Sequence, residues 1–297
     1  MKYKLAILTV LAFTLFNACN QPKTDGIKTL SVTIEPQKYF LKAIVGDHYN
    51  INCVVPSGTN PESADFTPAQ MINLDKSIAY FKIGYLGIEN SLIDKVTKGN
   101  DLIKIIDCSD GIRIIGDTHS HDHHDHDGHQ HCHHHGHIGG DPHTWSSVTS
   151  AKIMVQNMYK AVLELDKENE VTYQANYNNL ISEINATDSI IRSYLAKAPA
   201  KAFIIYHPAL SYFAEEYGLT QYSIEHEGKN PSPSQLKTLI DTAKSEGVKV
   251  VFIQREFDTK NAETIAKAIG GKTVPLNLLS YNWSEEMIKI AKALALD

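Results

Sequence analysis

From His143 through Ala198 the chain carries neither glycine nor proline, although its 297 residues include 17 and 11 of them. A stretch that long without a breaker reads as helix. Ser147 to Leu165 can form a first helix and Asp166 interrupts it. Asn169 to Ala196 then places Tyr173, Tyr177, Leu180, Ile184, Ile191 and Leu195 near the three-to-four spacing of one helical face. At about 1.5 Å per residue this second helix would run on the order of 40 Å, the length of a two-lobed body. A packed helical hairpin in a single domain satisfies the same periodicity. The rigid connector is the preferred reading because it suits two lobes that hold a site between them.

Both flanks of that spine show βα alternation. On the amino-terminal side the strand-length apolar runs are Thr29–Ile34, Tyr49–Val55, Ile78–Ile83 and Asp101–Asp107, with helical periodicity in Gln37–Val45 and Thr67–Leu74. On the carboxyl-terminal side Ala202–Tyr206, Gln221–Ile224, Val248–Ile253 and Thr273–Leu276 interleave with Ala209–Tyr217, Ser234–Glu246, Asn261–Ala268 and Glu285–Ala295. The expected fold class is α/β: two βα lobes with mainly parallel sheets joined by a long rigid helix. The expected boundaries are residues 29–145 for the first lobe, with a histidine-rich loop at 116–140, then 146–198 for the spine and 199–297 for the second lobe. Asp65 and Thr67 read as caps for the helix after Pro68.

Ahead of the lobes, Lys2 and Lys4 precede an almost unbroken apolar run from Leu5 to Phe16, followed by Asn17, Ala18 and Cys19. Roughly 12 apolar residues fall short of the about 20 needed to span a bilayer, so residues 1–19 read as a secretory signal. Leu15-Phe16-Asn17-Ala18-Cys19 resembles a bacterial lipobox in which Cys19 is lipidated, with residues 20–28 as a tether. This predicts a periplasmic, membrane-anchored lipoprotein. Of the remaining cysteines, Cys132 reads as a metal ligand, and Cys53 and Cys108 as thiols rather than a bridge.

Composition adds two constraints. The formal net charge of -6 disfavours a phosphate backbone as partner, so no nucleic acid is expected. There are also 15 histidines. His119, His121, His123, His124, His126, His129, His131, His133, His134, His135 and His137 fall in one tract with interspersed aspartates and no apolar periodicity. Such a tract cannot build a core. Its imidazoles suit zinc, copper or nickel, but each captured ion must order several residues at about 1–2 kcal/mol apiece, so it should collect ions weakly and exchange them fast.

A specific site needs donors held by separate rigid elements. Four histidines lie outside the tract: His48, His143, His207 and His226. His207 sits at a strand-to-helix corner and His143 just before the spine, both at sheet edges facing an inter-lobe cleft. His48, beside Asp47 at a turn, reads as surface.

The motifs Asp141-Pro142-His143-Thr144-Trp145, Tyr206-His207-Pro208-Ala209 with Tyr212-Phe213 and Tyr217-Gly218-Leu219, and Pro231-Ser232-Pro233 ahead of a helix resemble one family. With the histidine-rich insertion, they are similar to the periplasmic metal-binding proteins of zinc and manganese ABC transporters, the ZnuA/TroA-like group. The resemblance implies the cluster A-I type of substrate-binding fold, a zinc cargo, a membrane permease as partner and a monomer. It also places Glu62 where the family usually has a histidine, and Asn277, in Pro275-Leu276-Asn277, where it has a carboxylate. The implied ligands are Glu62, His143, His207 and Asn277, with Glu225, His226, Glu227 and Glu256 as other completions. Mn²⁺, Ni²⁺ and Cu²⁺ are the alternatives to Zn²⁺, and manganese would prefer more carboxylates. No enzyme is expected: His-Glu-x-x-His is absent and there is no evident base beside the ligands, so a zinc hydrolase ranks below a metal store or adhesin as the competing function.

Overall fold

The computed structural model describes residues 26–56, 58–62, 64–99, 102–116, 140–225, 228–257 and 259–295. Cys19, Cys132, His226, Glu227 and the clustered histidines lie outside the described residues.

In chain order the first lobe comprises β1 (Thr29–Val32), α1 (Glu35–Val45), β2 (Asn50–Cys53), α2 (Pro68–Asp75), β3 (Ala79–Lys82), α3 (Gly87–Gly99) and β4 (Lys104–Asp107). The connector comprises α4 (Val148–Leu165) and α5 (Glu170–Leu195). The second lobe follows as β5 (Ala202–Ile205), α6 (Ser211–Tyr217), β6 (Thr220–Ser223), α7 (Pro233–Ser245), β7 (Val250–Gln254), α8 (Lys260–Ile269), β8 (Lys272–Leu276) and α9 (Trp283–Ala295). The sheet orders are β2-β1-β3-β4 and β6-β5-β7-β8, and every pairing is parallel. Both sheets therefore reverse direction beside their first strand. That makes the carboxyl ends of β1/β3 and of β5/β7 the crevices where an α/β sheet takes a ligand.

Local chemistry explains several boundaries. Thr67 and Ser232 open α2 and α7 with reciprocal capping boxes to Gln70 and Gln235, each followed by proline at the first helical position. The α2 cap is thus Thr67 rather than Asp65. β5 and β7 are buried along their whole length, as central parallel strands sandwiched by helices must be. Pro275, which cannot donate to a ladder, lies in β8 at the sheet edge. α3 was not expected. Its buried Leu92 and Val96 are diluted by polar neighbours, so the apolar stripe is thin. Cys53 and Cys108 are free thiols.

The 26-residue α5 extends about 39 Å and packs against α1, α4 and α9. α9 returns across the molecule so that the Trp283 ring meets Phe40 of α1 at 5.2 Å, and one apolar core runs through both lobes. Among the described residues no helix is long and apolar enough to cross a membrane.

The first lobe also buries an acid. Glu89, in the first turn of α3, is 1% exposed. Its carboxylate accepts the N–H groups of Ile83 at 2.7 Å and Gly84 at 2.8 Å, together with the Thr33 hydroxyl. Tyr80 and Cys108 face it as neutral groups, and the charge of Lys82, paired with Asp107, acts on it only weakly. Burial dominates these hydrogen bonds and pushes its pKa from 4.5 up to about 7. Between those values the folded chain keeps a proton that the unfolded chain has released. Stability from this group is therefore complete below pH 4.5 and lost as pH rises through 7, by roughly 3 kcal/mol. In Glu89→Gln the amide opposes one backbone N–H at every pH, an offset that does not titrate. Urea unfolding at pH 5 and pH 8 should find the variant gaining about 2–3 kcal/mol on the parent at the higher pH. Parallel pH curves would refute the buried proton.

Candidate metal centre

Each candidate donor comes from the carboxyl side of a sheet. Glu62 lies in the loop between β2 and α2, and His207 directly follows β5. His143 precedes a short turn at Thr144–Ser146 that leads into α4. The three converge. The two imidazole Nε2 atoms are 3.3 Å apart, and the Glu62 oxygens lie 3.7 Å from His143 Nε2 and 3.4 Å from His207 Nε2. His143 is 6% exposed and the Glu62 side chain 17%, so the cluster is largely withdrawn from water.

The opposite ring nitrogens are held from behind. Asp141 Oδ1 takes both the backbone N–H of His143 at 2.9 Å and its Nδ1 at 2.7 Å. Glu225 Oε1 lies 2.8 Å from His207 Nδ1. A carboxylate on Nδ1 selects the Nδ1–H tautomer and leaves the Nε2 lone pair for a cation, the arrangement that orients metal-binding histidines. Glu225 is therefore not a further ligand, as one expectation had it, but a partner on the far side of the ring. It sits there because β6, whose end it follows, neighbours β5 in the sheet. Asp141 was not anticipated. Its spacing two residues before His143 is the Asx-turn pattern that could have revealed it.

The rest of the setting is equally specific. Gln254, the last residue of β7, accepts the His207 N–H at 3.3 Å and donates to its carbonyl at 2.6 Å. Phe257 stacks on the His207 ring with centroids 5.3 Å apart. Behind His143, Trp145 donates its Nε1–H to the Leu278 carbonyl at 2.9 Å. From the second lobe the Tyr212 hydroxyl accepts the Ile115 N–H at 3.2 Å and donates to the Asp141 carbonyl at 2.6 Å, while the Asp141 N–H bonds Ile115 at 2.8 Å. The two ends of the 117–139 insertion are thus tied together beside His143.

Charge is uneven here. Three carboxylates, Glu62, Asp141 and Glu225, surround two imidazoles. Burial pulls the His207 pKa down, but Glu225 and Glu62 outweigh it and hold the ring at about 9. Burial raises Asp141, yet its bonds to His143 leave it below the usual carboxylate range.

Of the remaining described His and Glu candidates, His48 and Glu256 stand outside this cluster. His48 is exposed, its ring edge against Tyr173 at 5.5 Å. Asn277 gives its backbone N–H to Glu286 at 3.1 Å, while its side-chain oxygen is buried without a hydrogen bond, as is Glu256 Oε1. Among the described His, Cys, Asp and Glu residues, Glu62, His143 and His207 are the one group of three or more whose donor atoms all lie within 4.8 Å of one another.

Known proteins show the same plan. A family model described as zinc-uptake complex component A, periplasmic, matches residues 31–295. The high-affinity zinc uptake system protein ZnuA of Bacillus subtilis (strain 168) is 30% identical over 97% of this chain and 92% of its own length. The zinc-binding lipoprotein AdcA of Streptococcus pneumoniae serotype 4 is 25% identical over 96% of this chain, which spans 56% of AdcA. A crystal structure of ZnuA superposes with a TM-score of 0.80 at 32% identity, covering 91% of this chain and 98% of that one. A mutant of the periplasmic metal-binding protein of Candidatus Liberibacter asiaticus in its Mn-bound form, 20% identical with a TM-score of 0.74, covers 90% of this chain and 99% of its own and shares the fold.

Proposed function

The chain belongs to the family of periplasmic zinc-uptake complex component A proteins, and from that premise we propose that it captures Zn²⁺ between its lobes on Glu62, His143 and His207. It then passes the ion to the permease of an ABC transporter. The observation that carries this reading is the spacing of the donors. At metal–donor distances of about 2.0–2.1 Å, the edge of a tetrahedron is about 3.3–3.4 Å. The Nε2–Nε2 distance is 3.3 Å and the shorter Glu62 contact is 3.4 Å. Two nitrogens and one carboxylate suit zinc better than manganese, which favours a mainly oxygen set. The side-chain oxygen of Asn277, buried and without a partner, is the candidate fourth donor.

Capture and release require no reaction at the centre, so no catalytic residue is assigned. The monomeric chain is held by a lipid on Cys19 outside the cytoplasm, a reading supported by the lipobox-like sequence and by the naming of AdcA as a lipoprotein. The clustered histidines act as the weak collector.

Calorimetric titration of the processed chain tests the division of labour. Zinc should occupy one tight site and several weak ones, and deletion of residues 119–137 should remove the weak class alone. The Ile115–Asp141 closure spans the insertion, so the tight centre keeps its frame. Loss of the tight ion with the deletion would overturn the assignment.

A further inference from the structure

Tyr85 is the sole described residue other than glycine with a left-handed backbone, at φ 64°. Aromatic residues avoid that region, and those that occupy it do so where the surroundings enforce it. The enforcement is visible on both sides. Before it, the N–H groups of Ile83 and Gly84 are clamped by buried Glu89, and Gly84, at φ 83°, has Ser109 so close that a Cβ would overlap it. After it, Leu86 is buried and its carbonyl accepts the Glu89 N–H at 3.0 Å. Yet Tyr85 itself is 43% exposed, so burial of its ring does not account for a residue that glycine would replace without strain.

Its position offers a reason. A cavity of about 410 Å³ is lined by Glu62, Pro142, Tyr85 and Ile88, and a second of about 510 Å³ by Tyr85, Asp107, Ser109 and Asn157. Tyr85 is shared by both, and the smaller cavity contains one of the three donors and the residue adjoining another. We propose that Tyr85 is the residue that governs passage of the cation between water and the Glu62–His143–His207 centre, its ring walling the cavity through which the ion must move. This rests on the zinc reading above.

Release of zinc from the processed full chain to a chromogenic chelator, followed by stopped flow, tests it. Tyr85→Gly removes the ring and relieves the backbone. It should unfold at the same or a higher temperature and release zinc at least about tenfold faster, with a smaller change in Kd because entry also speeds up. Tyr85→Phe retains the ring and should release at the parent rate. A glycine variant within twofold of the parent, or a phenylalanine variant as fast as the glycine one, overturns the proposal. A parent chain that holds no stoichiometric zinc overturns the zinc reading itself, which separates the two failures.

Discussion

His207→Ala should fold and lose tight zinc binding by at least about a thousandfold, since loss of a partner behind a ligand already costs 10–100-fold in metal affinity and the ligand itself must cost more. His207 is the donor that the second lobe brings to a centre otherwise built from residues that precede the connector, so its removal leaves Glu62 and His143 without a counterpart across the cleft. Glu225→Gln keeps the imidazole but weakens the acceptor on Nδ1, and should fall in the 10–100-fold range. The order of the two variants distinguishes ligand from orienting partner. Protons give a second readout. The metal-free ring holds its proton up to about pH 9, whereas a coordinating imidazole must be unprotonated. Zinc binding at pH 7 should therefore release one proton from His207, affinity should climb about tenfold per pH unit toward 9 and then level, and the enthalpy should track the ionisation heat of the buffer. His207→Ala should abolish that release. Parent-like affinity in the alanine variant would remove His207 from the centre.

What could be read in advance follows from which interactions are local. The glycine- and proline-free stretch, the apolar strand runs and the Thr67 cap are short-range patterns, and among the described residues they place the spine, the strands and the start of α2 within a few residues. α3 escaped because its buried Leu92 and Val96 stand among lysine, asparagine and aspartate. His143 and His207 were legible from their places at the strand and helix ends, and Glu62 only through the family resemblance, which sets it where a histidine is usual. The role of Glu225 was not: eighteen residues separate it from His207, and which ring nitrogen it meets depends on β6 lying beside β5. Tyr85 was invisible for the same reason, since a left-handed tyrosine leaves no mark on composition or period and is imposed by contacts to Glu89 and Ser109 from other elements.

The largest loss of stability is expected from Trp145→Ala. Trp145 is 1% exposed, donates to the Leu278 carbonyl at 2.9 Å and accepts the Trp283 indole N–H on its own carbonyl at 2.7 Å. It thereby fastens the segment carrying His143 to the chain between β8 and α9, while its ring lies 5.2 Å from the His143 ring. Truncation removes a buried indole, at about 3–5 kcal/mol for a core tryptophan, and leaves the Leu278 carbonyl without its donor. At 2–4 °C per kcal/mol for a chain of this size, the metal-free protein should melt about 10 °C or more below the parent. Trp145→Phe keeps most of the apolar volume and loses the indole bond, so it should fall between the two. Zinc sharpens the test. An ion that binds the folded state alone at a thousand times its Kd adds about 4 kcal/mol, so saturation should restore much of the phenylalanine variant's loss. The alanine variant, whose His143 has lost the wall behind it, should recover far less. A metal-free alanine variant melting within about 2 °C of the parent would mean that the lobes are held together elsewhere, with α5 and α9 as the remaining bridge.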